Sequence, residues 1–337
     1  MRSFRFSRVP ASACGLLVTA VFLVGCGTVS QETEQKQPPS ETAAVTTADA
    51  TTVVRSYDQK NNLANSAFNM GDLAAIETPP LRTASEALMK ISKNLRQEIP
   101  QIAHTSPRFV IPVQPGYPRF YLSISQRVIG GVPSAQPTYT VYYQETPSEP
   151  FRAAYALTPA EQETVGPFAL NSNGAAQPVT SDPSLLMAPS DLGQAITRHY
   201  VQGLRDKDDF LYSAPLDDSL GNGYTLGRKV LGSRGVTLTR AVRSVGSQVF
   251  ALRTADGGVL AFTSVVVTDH LQAKTAKFRA SLRAGSNDAA LLGKPAGATG
   301  KSFSIDRLQM FMTHIPTKTS GTKAKVLAYS ETAVSVK

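Results

Sequence analysis

The stretch Arg119-Phe120-Tyr121-Leu122-Ser123-Ile124 places Phe120, Leu122 and Ile124 on one face of an extended chain. That is the period of two that a strand requires. Residues 138–144 alternate in the same way through Tyr139, Val141 and Tyr143, and Phe151, Ala153, Tyr155 and Leu157 form a third set. Prolines at 112, 115, 118, 133, 137, 147 and 150 punctuate these segments and belong in turns or at strand starts. The pattern predicts a meandering antiparallel sheet. Upstream the period changes: Val53, Val54, Tyr57, Asn61, Ala64 and Phe68 recur at spacings of three and four, which predicts a helix ending near Met70-Gly71. A second helix is expected from Ala84 to Glu98, with Ala87, Leu88, Ile91 and Leu95 as its stripe and Pro100 as its stop.

Residues 159–185 are rich in Gly, Pro, Asn, Ser and Thr, so we expect a linker there, between a first domain at 49–158 and a second at 186–337. The second half repeats the order. Pro189-Ser190-Asp191 opens a helix carrying Leu192, Ile196, Tyr200 and Leu204, and a loop with Gly221, Gly223 and Gly227 follows. Strands are expected at 236–245, 248–254 and 259–268, with Ala255-Asp256-Gly257-Gly258 as a hairpin turn. A basic helical piece from Leu271 to Arg283, a glycine-rich loop at 285–300 and two closing strands at 303–315 and 325–336 complete it. The expected class is α+β: two domains, each with helices followed by a mainly antiparallel curved sheet.

Hydrophobic residues make up 42% of the 337 and charged residues 18%, as in a globular protein. The formal charge of +9 is uneven, because residues 186–337 carry 20 basic and 11 acidic groups while the segment 49–185 is close to neutral. Only Cys14 and Cys26 are present, and tryptophan is absent.

The N-terminus explains the cysteines. Arg2, Arg5 and Arg8 precede an uncharged run from Val9 to Gly25, a basic then apolar order that reads as a secretory signal. An uncleaved span is the other reading, although the run is at the short limit for crossing a bilayer. Leu23-Val24-Gly25-Cys26 resembles the bacterial lipobox, which implies removal of residues 1–25 and acylation of Cys26 by a diacylglycerol and palmitate-type anchor. Residues 26–48 then read as the lipidated cysteine and a disordered tether, poor in residues able to build a core. The implied location is the extracytoplasmic face of the cell membrane. No disulfide is expected beyond it.

Taken together, the lipobox, Tyr57 with Asn61-Asn62-Leu63-Ala64-Asn65, Tyr117-Pro118-Arg119-Phe120, the strand from Phe151 to Leu157 and the Asp256-Gly257-Gly258 hairpin resemble a group of actinobacterial surface lipoproteins of uncharacterised activity. The helix-then-sheet order is similar to NTF2-like and cystatin-like domains, an analogy of fold alone.

Catalytic motifs are sparse. His104, His199, His270 and His314 are far apart in sequence and form no metal-binding pair spacing. The acidic run at 206–209 lacks most of a calcium loop. Ser320-Gly321-Thr322-Lys323 fits the Ser-x-x-Lys spacing but lies in a Gly/Lys-rich loop. No cofactor, metal or catalytic residue is expected. Two candidate surfaces stand. Lys274, Lys277, Arg279, Arg283, Lys318, Lys323 and Lys325 either contact an anionic partner, such as an envelope protein or wall polymer, or form a plain solvated face. Tyr117, Tyr121, Tyr142 and Tyr155 either line a ligand cleft or pack the sheet. A non-enzymatic binding or assembly module of the cell envelope is the first expectation, and a small-ligand pocket or weak hydrolase in the tyrosine-rich half the alternative. Nucleic acid is an implausible partner outside the cell.

Overall fold

In the computed structural model, residues 42–202, 210–211 and 223–337 are described. The leader, Cys26, most of the expected tether, Leu204, the acidic run at 206–209 and Gly221 lie outside the described residues.

A short strand β1 (Thr42–Ala43) leads into α1 (Thr47–Ala67), a turn of helix α2 (Met70–Leu73) and α3 (Leu81–Leu95). Thr46 caps α1 by accepting from the Asp49 amide at 3.1 Å. The residues α1 buries are Ala50, Val54, Tyr57, Asn61 and Ala64, the three–four rhythm expected. Strands β2 (Ile102–Val110), β3 (Val113–Gln114), β4 (Arg119–Ile129), β5 (Val132–Pro133), β6 (Thr138–Gln144) and β7 (Arg152–Leu157) follow. They build an antiparallel sheet ordered β2-β4-β6-β7, with β5 folded back on β4 and β3 paired to β1.

The second half supplies α4 (Leu192–Gln202), the two-residue β8 (Phe210–Leu211), α5 (Gly223–Ser233) and the long hairpin β9 (Val236–Arg253) and β10 (Val259–Ala273). After it come β11 (Ala280–Leu282), α6 (Asn287–Leu291), β12 (Ala298–Gly300), β13 (Ser302–Ile315) and β14 (Ala324–Val336). The second sheet runs β8-β14-β13-β10-β9, antiparallel except for β8. The class is therefore mixed α+β with mainly antiparallel sheets.

Residues 39–337 form one compact unit. The halves expected to be separate share a core: Tyr57, Tyr121, Tyr142 and Tyr155 cluster with Phe250, Leu260, Phe262, Met310 and Met312. One face of the first sheet meets α1, through Tyr57 against Tyr142. The other meets the second sheet, where Phe120, Tyr143 and Tyr155 surround Phe250 with ring centroids 5.4 to 5.8 Å apart. Covering both faces explains why β4 and β6 are buried along most of their length rather than at alternate positions. The far face of the second sheet is closed by Leu192, Ala195 and Ile196 of α4. Residues 159–185 are a strap rather than a spacer: they bridge to Thr254, Leu252 and Thr317, and Leu185 is buried.

Three local expectations are corrected. The glycine segment at 223–227 is helical, as the start of α5, and packs Tyr224 and Leu231 inward. Leu271 to Arg283 is not a helix: β10 extends to Ala273, a turn follows, and β11 pairs with β12. The loop at 285–300 contains α6, whose first turn is capped by Ser286 accepting from the Ala289 amide.

Candidate functional site

Helix α1 clamps the edge of the first sheet. Asn62 acts as a backbone mimic on β2, donating to the Ile102 carbonyl and accepting from the Ile102 amide, both at 2.9 Å. One helical turn earlier, Asp58 accepts from the His104 amide at 2.7 Å and sits 2.6 Å from the His104 ring Nδ1. Residues four apart on a helix thus meet residues two apart on a strand, and the edge is satisfied without another strand.

This clamp frames a cavity of about 270 Å³ between α1, α3, the first sheet and the strands β13 and β14. Leu81, Leu88, Ile99, Ile102, Ile129 and Met310 give it apolar walls. Its polar groups converge from five elements and from the turn before α3. Glu77, in that turn, is fully buried, and its Oε1 accepts from the Tyr57 hydroxyl at 2.8 Å. Its Oε2 is buried without a well-aligned donor. His104, with its side chain 3% exposed, has Nδ1 engaged by Asp58 and Nε2 unpartnered. Arg127 Nε and Ser330 Oγ are buried and unpartnered in the same lining.

Burial pushes the Glu77 carboxyl up to about 7, with the Tyr57 and Ser85 hydroxyls pulling the other way. Desolvation disfavours the charged form, and two neutral hydroxyl bonds are too little to offset it. Burial first, and then the neighbouring Glu77 charge, push the Tyr57 hydroxyl well above its ordinary value. The cavity therefore holds a carboxyl that changes charge near neutrality, beside a histidine held in one orientation.

The sequence-derived candidates fall elsewhere. Tyr121, Tyr142 and Tyr155 are 0%, 1% and 3% exposed and packed in the core. Tyr121 and Tyr142 are cross-strand partners stacked at 5.1 Å and 15°, and Tyr155 packs on Phe250 and Phe262. Burial pushes the Tyr155 hydroxyl up to about 12. Tyr117 is exposed, its ring 4.6 Å beneath the Arg119 guanidinium. The basic residues divide. Lys274, Lys277, Arg279 and Arg283 are exposed along the turn and strand after β10, whereas Lys318, Lys323 and Lys325 lie by the turn between β13 and β14. The pairing Val259–Ile315 at one end of β10 and Gln272–Ser302 at the other puts these groups at opposite ends of a 15-residue strand. At about 3.3 Å per residue that is about 45 Å, so the seven do not make one patch. Lys325 is also paired with the buried Glu163. Ser320 bonds the Thr317 carbonyl and the Thr322 hydroxyl, and so closes a turn.

Glu77 was not among the residues read from the sequence. The available signal was that Tyr57 and Asn61, both able to hydrogen-bond, stand inside the apolar stripe of α1 and so must face a partner or a cavity. A second cavity of about 320 Å³ holds Asp256 and His314, 3.1 Å apart, but their polar atoms partner one another and Thr254. Among the described residues no group of three or more His, Cys, Asp or Glu is placed to hold a metal, and no helix is long and apolar enough to cross a membrane.

Fold and site together define an α+β protein with two facing, mainly antiparallel sheets and a partly open, titratable cavity at the edge of one. The chain belongs to the family described as a domain of unknown function, DUF8094, which matches residues 41–337. No curated protein and no solved structure matches it.

Proposed function

We propose that this is a lipid-anchored, extracytoplasmic binding protein whose ligand site is the Glu77 cavity. The anchor is Cys26, and the support for it is the basic, apolar and Leu-Val-Gly-Cys order of residues 2–26. The observation that carries the binding role is the set of unpartnered buried polar atoms, Glu77 Oε2, His104 Nε2, Arg127 Nε and Ser330 Oγ, around an apolar-walled space. Unpaired buried polar atoms each cost on the order of 1–3 kcal/mol, a cost that a ligand supplying partners removes. The matching chemistry is a small amphipathic molecule: a head group bearing several N–H donors, a primary ammonium foremost, and an apolar tail against Leu81, Leu88 and Ile129. This reading keeps the non-enzymatic module expected from the sequence and moves its contact from the basic surface to the cavity.

The test is a thermal-shift comparison of hexylamine, hexanol and hexanoate on the native chain and on Glu77→Gln. Hexylamine should stabilise the native protein most and lose most of that effect in the variant. Equal shifts from all three compounds, or an unchanged shift in the variant, reject the site. The anchor is tested separately: Cys26→Ala should abolish lipid labelling and release the protein from the membrane fraction.

A further inference from the structure

Helix α5 is amphipathic in an unusual sense. Tyr224 and Leu231 point into the core, while Leu226 and Val230, one turn apart, are 62% and 40% exposed. The turn after β10 is fastened to the end of this helix: the Lys274 amide donates to the Gly235 carbonyl at 2.9 Å, and Lys274 Nζ to the Gly232 carbonyl at 3.0 Å. That turn presents Phe278, 42% exposed, with its ring lying directly on Gly235. A Cβ at Gly235 would stand 2.3 Å from the ring, and φ there is +72°, so only glycine admits this contact. Single exposed apolar side chains are ordinary. Three large ones on a helix and the turn bound to it are not.

Both segments carry only basic charge. Neither residues 223–235 nor residues 274–283 contain an acid, and Arg228, Lys229, Arg234, Lys277 and Arg279 are exposed among them. Arg279 braces the turn by donating to the Ala276 and Phe278 carbonyls at 2.6 and 2.9 Å.

We infer that α5 and the turn after β10 form a surface that docks on a bilayer with anionic headgroups. Leu226, Val230 and Phe278 enter the interface while the surrounding arginines and lysines meet phosphates. A soluble polyanion would satisfy the charges but leave the apolar side chains in water. A headgroup–acyl boundary satisfies both. The inference goes beyond the cavity and rests on the membrane-anchored reading only for opportunity, because the surface acts without the acyl group.

The experiment is co-sedimentation of the unacylated chain from Gly27 with vesicles of phosphatidylcholine, alone or with about one-third phosphatidylglycerol. Partition onto the anionic vesicles only is expected. The triple variant Lys229→Gln, Lys277→Gln, Arg279→Gln should lower it about tenfold or more, and raised salt should do the same to the native chain. Leu226→Ser with Phe278→Ser should lower vesicle partition severalfold while leaving capture of soluble poly-glutamate unchanged. Absence of partition onto anionic vesicles overturns the inference. So does partition unaltered in both variants, or poly-glutamate binding as tight as vesicle binding with no loss in the serine variant. Because no acyl group is present, these results are independent of what Cys26→Ala does to localisation.

Discussion

Two buried carboxylates are treated in opposite ways by this fold. Asp269, in the middle of the second sheet, is 7% exposed and is gripped by Arg240 through two bonds of 2.7 and 2.9 Å, with Arg307 at 3.7 Å. Arg307 continues the network to Asp288 at 2.8 Å, and that acidic company holds its guanidinium above its ordinary value against the opposing effect of burial. Glu77 is buried more completely but has only the neutral Tyr57 and Ser85 hydroxyls to answer its charge, and a cavity beside it. The first arrangement is scaffold, since every charge has an answering one. The second spends stability to keep an acceptor available. The difference separates structural from functional polarity better than the presence of charge does.

The largest effect should come from breaking the paired side. Asp269→Ala leaves Arg240 and Arg307 without their shared carboxylate and should cost about 3–5 kcal/mol, read as a fall in denaturant midpoint at unchanged slope. A loss under about 1 kcal/mol would mean that the network is no more than a surface pair.

Glu77→Gln should act in the opposite direction and depend on pH. The folded-state value near 7 lies above the unfolded value of 4.5, so the folded protein holds a proton that the unfolded chain has released. Stability is therefore lost as pH rises from about 4.5 to 7, by on the order of 3 kcal/mol, and the full cost is present above 7. Glutamine still accepts from Tyr57 and never ionises. The variant should match the native protein near pH 4.5 and exceed it by roughly 1–3 kcal/mol at pH 8. Parallel stability curves for the two proteins would place Glu77 on the paired side of the comparison.

The clamp that frames the cavity comes next in size. Asn62→Ala strips the Ile102 amide and carbonyl of their partner and should cost about 1–2 kcal/mol, with faster hydrogen exchange confined to β2. Smallest of all, Lys277→Ala or Lys318→Ala should change stability by less than about 0.5 kcal/mol, since both side chains are exposed.

The helices and strands of this chain were largely legible from its sequence, because burial on one face imposes a period. The stripe of α1, the Asp256-Gly257 turn with Gly257 at φ +85°, and the long closing strands all follow from local pattern. What the pattern could not show was where opposite faces go. Alternation at Phe120, Leu122 and Ile124 looks the same whether Tyr121 faces solvent, a cleft or a stacked Tyr142, and only packing across 250 and 57 decides it. The run from Leu271 to Arg283 read as a basic helix because its apolar and basic residues are interleaved, yet Leu271 is held in β10 by its partners Leu238 and Phe303. Glu77 carried no local signal at all. Its role arises from burial beneath elements far away in sequence, including Met310 and Ser330.

The most direct test is a carbon-detected NMR titration of the Glu77 side-chain carboxyl, run on the free protein and again with saturating hexylamine. The free carboxyl should titrate near 7. Bound amine should pull it down by one unit or more, on the order of 1.4 kcal/mol per unit, because an ammonium favours the ionised form. An ordinary carboxyl titration in the free protein, or a value near 7 that the amine leaves unmoved, would contradict the account.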